Sequence, residues 1–169
     1  MNNMTSQISN YDLAFKLGNI LQERKLYCAT AESCTGGALS AAITEIPGSS
    51  KWFERGFIVY TNESKSQLLS VPASIIMTYG AVSEETVCAM ADGAIINSAA
   101  DVSIAISGIA GPSGGSLKNP VGTVWIAWSG DLKPTYAKCY LFTGDRGSIR
   151  QQAVQKAMQG LIMRCKLKI

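Results

Sequence analysis

The chain predicts an α/β fold, a three-layer α/β/α sandwich with a mixed β-sheet, in a single domain. Three observations carry that prediction. Strand-like and helix-like segments alternate over the first two thirds of the sequence, as in chains built from parallel strand–helix–strand units. Two strand-like runs then follow each other closely and read as an antiparallel hairpin. The 169 residues, 47% hydrophobic and 16% charged, suit one core and leave no room for a second.

Residues 1–10 are polar and read as a flexible N-terminus, and residues 11–169 as the domain. Leu13, Leu17, Ile20 and Leu21 recur at helical spacing, which predicts a helix over 11–24 with Asn10 as its N-cap. A short strand at 26–31 leads through a turn into a small-residue helix at 36–46, stopped by Pro47-Gly48. GFIVY, rich in β-formers, predicts a strand at 56–60. Asn62 opens a short helix that runs to residue 69, and a second at 72–79 is closed by Gly80. Ser83 caps a helix at 84–98, where Glu84 and Glu85 suit the positive end of the dipole. VSIAIS at 102–107 is a strand, and the segment GIAGPSGGSLKNPVG after it is too polar and too rich in Gly and Pro for a core. Strands at 123–128 and 135–142 flank a turn at Gly130-Asp131, and a helix at 145–166 follows.

Composition excludes several chemistries. There is no histidine, which removes Ser-His-Asp and Cys-His catalysis, histidine zinc sites and a histidine pH switch. Acid–base work must fall to Lys, Tyr, Asp, Glu or Cys. The net charge of +3 is too small for a nucleic-acid footprint, and the one local basic run, Arg164, Lys166 and Lys168, reads as a solvated helix end. The five cysteines are scattered without a C-x-x-C pair, which excludes a zinc ribbon and a thioredoxin-like site and suits a reducing compartment. No basic-then-apolar leader and no apolar run of about 18 residues is present, so a cytoplasmic protein with no membrane partner is expected.

Four segments could carry chemistry. TAESCTGG at 30–37 follows a strand and opens a helix, which puts the Ser33 hydroxyl near free backbone N–H groups at Thr35, Gly36 and Gly37. It lacks the G-x-S-x-G and Walker A patterns, and an N-cap hydroxyl followed by close-packing glycines is the alternative. Cys34 beside Ser33 is a rival nucleophile. YTNESK at 60–65 puts Lys65 in the first turn of a helix opened by Asn62, beside Tyr60 at a strand end. The dipole there lowers a lysine pKa, the direction that a general base needs, with a solvated surface lysine as the alternative. SGIAGPSGG at 107–115, including Ser107, Gly108 and Gly111, can bring backbone close to a ligand or form a plain turn. GDRGSIR at 144–150 places Arg146 and Arg150 four residues apart at a helix mouth, suited to a phosphate or to solvent.

TAESCTGG, PGSSKWFERGFIVYTNESK (47–65), GAVSEETV (80–87), SGIAGPSGG, PVGTVWIAW (120–128) and FTGDR (142–146) together resemble the CinA C-terminal domain family, the nicotinamide-nucleotide amidases. The resemblance implies an α/β/α fold and hydrolysis of the carboxamide of nicotinamide mononucleotide to nicotinate mononucleotide and ammonia. It also implies a serine–lysine pair at Ser33 and Lys65 with Tyr60 nearby, and roles for Ser107 and for Arg146. No metal and no cofactor are implied. One departure stands out: the family commonly has Lys-Pro before V-G-x-V-W, and this chain reads Lys118-Asn119-Pro120.

The expectation is therefore an amidohydrolase. Ser33 attacks, Lys65 takes the proton, Tyr60 relays or orients it, and Arg146 with Arg150 holds the 5′-phosphate. A non-catalytic nucleotide-binding module and a competence or DNA-damage accessory are the rivals. A nucleotide is the expected small-molecule partner, and apolar faces on the terminal helices make a homodimer the expected assembly.

Overall fold

A computed structural model describes residues 8–131 and 134–167. Apolar spacing and a polar cap start the chain as a helix. Leu13, Leu17 and Leu21 are buried on one side of α1 (Asn10–Glu23). Ser9, one residue before the expected cap, closes a capping box: its hydroxyl accepts the Asp12 N–H at 3.1 Å, and the Asp12 carboxylate accepts the Ser9 N–H. The expected flexible N-terminus falls largely on residues 1–7, and Lys168 at the other end also lies outside the described residues.

The sheet is built around β1 (Cys28–Glu32), which pairs in parallel with β2 (Phe53–Ile58) on one side and β3 (Val102–Gly108) on the other. The last two strands, β4 (Thr123–Gly130) and β5 (Tyr136–Leu141), add antiparallel, giving the order β2-β1-β3-β4-β5. The mixed sheet expected from the sequence is therefore present.

Strand periodicity divides the core in two. Val102, Ile104, Ile106, Val124, Ile126 and Trp128 face one way, under α1, α2 (Ala38–Thr44) and α6 (Arg146–Lys166). Ala29, Ala31, Ala105 and Ala127 face the other way, under α5 (Glu84–Ile96) with α3 (Asn62–Leu69) and α4 (Ala73–Tyr79). The small residues let α5 settle close to the sheet, while the other face is filled by bulk. Trp128 is anchored there by its indole N–H, which donates to Ala157 O at 2.9 Å. The layers are thus helix, sheet, helix, as expected.

Boundaries differ where local chemistry overrides propensity. β2 starts at Phe53 and ends at Ile58, earlier than GFIVY suggests. It is an edge strand, so the charged pair Glu54 and Arg55 (N–O 2.6 Å) is tolerated and even protective. Val59 and Tyr60 leave the ladder because the chain turns there toward α3, although the Val59 N–H still donates to Glu32 O at 2.8 Å. α2 begins at Ala38, not 36, because Gly36 and Gly37 both take positive φ, 56° and 96°, and so form the turn instead. Asn62 opens α3 as expected, and Thr61 before it is the cap, its hydroxyl accepting the Ser64 N–H at 3.1 Å.

Parallel pairing puts the C-terminal ends of β1, β2 and β3 on one edge of the sheet. From β1 the chain turns through α2 to β2 on one flank, whereas β3 lies on the other. The crevice between the ends of β1 and β3 is the position where open α/β sheets bind ligands.

Candidate active site

Ser33 follows the last residue of β1 directly, and its N–H donates to Ile106 O at 3.0 Å, which ties it to β3. Lys65 arrives from the other face. The reciprocal bonds between Thr61 and Ser64 set the first turn of α3 and so aim Lys65 inward. The residue is 1% exposed, and Nζ lies 3.2 Å from Ser33 Oγ. Three carbonyl oxygens surround the same nitrogen: Val59 O at 3.0 Å, Tyr60 O at 3.4 Å and Thr61 O at 3.5 Å.

That cage permits a neutral amine. In that neutral form two N–H bonds reach two of the three carbonyls, and the lone pair is left for the Ser33 hydroxyl. Burial holds the Lys65 pKa below the ordinary lysine range, and no carboxylate among the described residues hydrogen-bonds Nζ. Cys34 is governed by the same burial with the opposite result: its thiol is pushed up to about 11 and stays protonated at neutral pH.

The pair opens onto a cleft of about 270 Å³. Tyr60, Asn62, Ser107, Gly108, Gly111 and Arg146 line it, as does Cys34. Ser107 Oγ donates to Ala81 O at 2.6 Å, which fastens the end of β3 to the segment before α5. Gly108 admits no side chain, because a Cβ there would stand 2.7 Å from Thr123 O. Arg146 spans the mouth, donating from Nη1 to Gly111 O at 2.8 Å and from Nη2 to the Tyr60 hydroxyl at 3.0 Å. Tyr60 therefore meets Lys65 through its carbonyl, while its hydroxyl belongs to Arg146.

Thr35, Gly36, Gly37 and Arg150 stand behind the cleft wall. The Gly36 N–H donates to Ser33 O and the Gly37 N–H to a Glu32 carboxylate oxygen at 3.1 Å. The buried Thr35 hydroxyl has no partner among the described residues. Arg150, one helical turn beyond Arg146, reaches the loop instead of the cleft and donates to Thr35 O at 2.7 Å. Lys118 lines a separate cleft of about 470 Å³, while Asn119 Nδ2 donates to Val82 O at 3.2 Å.

Sequence reasoning passed over Glu32. It is fully buried and accepts four hydrogen bonds from the first turn of α2 and the residue before it. An acid set between a strand and a glycine-led helix was the available signal, because its carboxylate can serve the helix's unpaired N–H groups.

A single α/β/α domain with a buried serine–lysine pair at the carboxyl ends of parallel strands is the class defined by fold and site together. The model of the CinA C-terminal domain family matches residues 10–165, and the chain belongs to that family. It is 47% identical over 150 residues to the nicotinamide-nucleotide amidohydrolase PncC of Pseudomonas putida, covering 89% of this chain and 93% of that one. It is also 47% identical over 142 residues to a CinA-like protein of Akkermansia muciniphila, covering 84% of this chain but about a third (34%) of the longer relative. The solved structure of a CinA superfamily protein from Enterobacter cloacae superposes with a TM-score of 0.91 at 35% identity, covering 98% of both chains.

Proposed function

We propose that this protein hydrolyses the carboxamide of nicotinamide mononucleotide, releasing ammonia and nicotinate mononucleotide, by a serine–lysine mechanism. The observation that carries the mechanism is the buried Lys65 Nζ at 3.2 Å from Ser33 Oγ. The names of relatives such as the Pseudomonas putida enzyme, matched over nearly their whole length, support the substrate.

In this reading neutral Lys65 takes the Ser33 proton as Oγ attacks the amide carbon. Backbone N–H groups of the residues lining the cleft beside Ser33 hold the tetrahedral oxyanion, a contribution of about 3–4 kcal/mol per donor. Lys65 then returns the proton to the departing amine, and the C–N bond breaks to leave an ester on Ser33 and free ammonia. Water, deprotonated by Lys65, hydrolyses that ester and restores the serine. Arg146, a guanidinium at the cleft mouth, holds the 5′-phosphate by exchanging its neutral acceptors for phosphate oxygens. Tyr60 orients Lys65 through its carbonyl. Arg150 supports the 33–37 loop from behind.

Exposed Tyr11 and Phe15 on α1, with Met163 and Leu167 at the end of α6, support a homodimer, which light scattering tests directly. Among the described residues no helix is long and apolar enough to cross a membrane. The deciding assay is ammonia release from nicotinamide mononucleotide. Ser33→Ala is expected to abolish it with the circular dichroism spectrum unchanged, and turnover near the wild-type level would sink the mechanism.

A further inference from the structure

Glu32 has no part in the chemistry above, yet it is 0% exposed and immediately precedes the nucleophile. One carboxylate oxygen accepts the Ser40 N–H at 2.8 Å and the Ser40 hydroxyl at 2.6 Å. The other accepts the N–H groups of Gly37 at 3.1 Å and Leu39 at 3.0 Å. Four donors thus converge on a group that only accepts, a set that a carboxylate matches and a carboxamide does not.

The network continues away from the cleft. Ser40 Oγ and Thr30 Oγ1 are 2.7 Å apart, and both lie against residue 56 of the neighbouring strand. That residue is glycine for a reason visible here: a Cβ would stand 2.5 Å from Ser40 Oγ and 2.8 Å from Thr30 Oγ1. The strand pairing itself places Gly56 opposite Thr30.

We propose that Glu32 is the positioning residue for the Ser33 nucleophile, an inference that rests on the serine–lysine reading. Its carboxylate joins the end of β1 to the first turn of α2, so the intervening turn is held at both ends. Ser33 Oγ is thereby kept within reach of Lys65. The carboxylate also fills the position at the head of α2 that an anionic ligand would otherwise take, which leaves Arg146 to bind the substrate phosphate. Gly56 serves the same arrangement by leaving room for Ser40 and Thr30.

The test compares Glu32→Gln, Glu32→Asp and Gly56→Ala with the wild type. The readouts are kcat and KM for ammonia release, the rate at which a small fluorophosphonate labels Ser33, and Tm. Glu32→Gln keeps the shape but turns two donors toward other donors. It is expected to lower kcat about 30-fold or more, with KM within about threefold and labelling falling in step, because small misplacement of a reacting group carries losses of that order. Glu32→Asp recovers part of the rate, and Gly56→Ala shows the same kcat-only signature although it touches no substrate.

A Glu32→Gln enzyme with kcat and labelling within about twofold of wild type overturns the proposal, and so does a kcat loss equal to the unfolded fraction. Should Glu32→Gln fail to fold, Ser40→Ala removes the hydroxyl and leaves the other three bonds. A lower kcat at unchanged KM then supports the proposal, and an unchanged kcat overturns it. Ser33→Ala separates the two claims. Its inactivity beside a fully active Glu32→Gln defeats only the positioning role, whereas an active Ser33→Ala defeats the serine–lysine reading and the positioning role with it.

Discussion

At the residue scale one buried environment gives two neighbours opposite properties. Burial lowers the Lys65 pKa toward a usable base and raises that of Cys34 to about 11, beyond the range of a useful thiolate. Cys34→Ala should therefore keep most of the amidase activity, and iodoacetamide should label the wild-type Cys34 slowly at pH 7. Lys65 also makes stability depend on pH. Its folded-state pKa lies below its unfolded value, so between the two the unfolded chain binds more protons and stability rises with pH. Relative to Lys65→Met, which cannot titrate, the wild-type Tm is expected to improve as the pH rises through that window. A Tm difference that does not change between pH 7 and 10 would contradict a depressed lysine pKa. The same residues show how far sequence reading reaches. The absence of histidine directed attention to Lys65, and the YTNESK segment placed it near a strand end. That it is buried inside a cage of three carbonyls follows from the capping box at Thr61 and from the path of Val59 to Thr61, which depends on tertiary pairing with Glu32.

At the scale of elements, the start of α6 and the turn before α2 divide the labour between two arginines. Arg146 and Arg150 look equivalent in GDRGSIR, but one helical turn separates a side chain over the cleft from one braced on Thr35 O. Arg146→Ala is expected to raise KM about 10- to 150-fold with a small effect on kcat, the value of a hydrogen bond to a charged group at about 1.5–3 kcal/mol. Arg150→Ala should lower kcat and spare KM, because it loosens the loop that carries the nucleophile. Steady-state kinetics on the two variants distinguishes the roles. The turn itself was partly legible: its glycines marked a tight strand-to-helix connection, and both take positive φ. Glu32 was not legible, because four donors from two separated stretches converge on it only after α2 has docked on β1.

At the scale of the whole molecule, the alternation of strands and helices was enough to predict the layers and the mixed sheet. The unequal filling of its two faces emerges only from the strand register. Alanines beneath a closely packed α5 and bulky residues beneath α1, α2 and α6 leave little room for added volume on either face. Gly160 in α6 shows this sharply, since a Cβ would meet the Trp128 ring at 2.0 Å. Gly160→Ala should destabilise by about 1–3 kcal/mol, the usual penalty of overpacking. For a chain of this length that lowers Tm by about 2–12 °C, measurable by scanning calorimetry. Activity at 25 °C should persist, because Trp128 lies away from the crevice formed by the ends of β1 and β3.

The central claim is that Ser33 carries the acyl group while Lys65 moves the proton. Rapid acid quench of the enzyme with nicotinamide mononucleotide, followed by tryptic mapping, tests it most directly. An ester on Ser33 is expected, in the peptide running from Leu26 to Lys51, that forms with ammonia release and is absent from Lys65→Met. An adduct on Cys34, or full turnover by Ser33→Ala without any adduct, would contradict it.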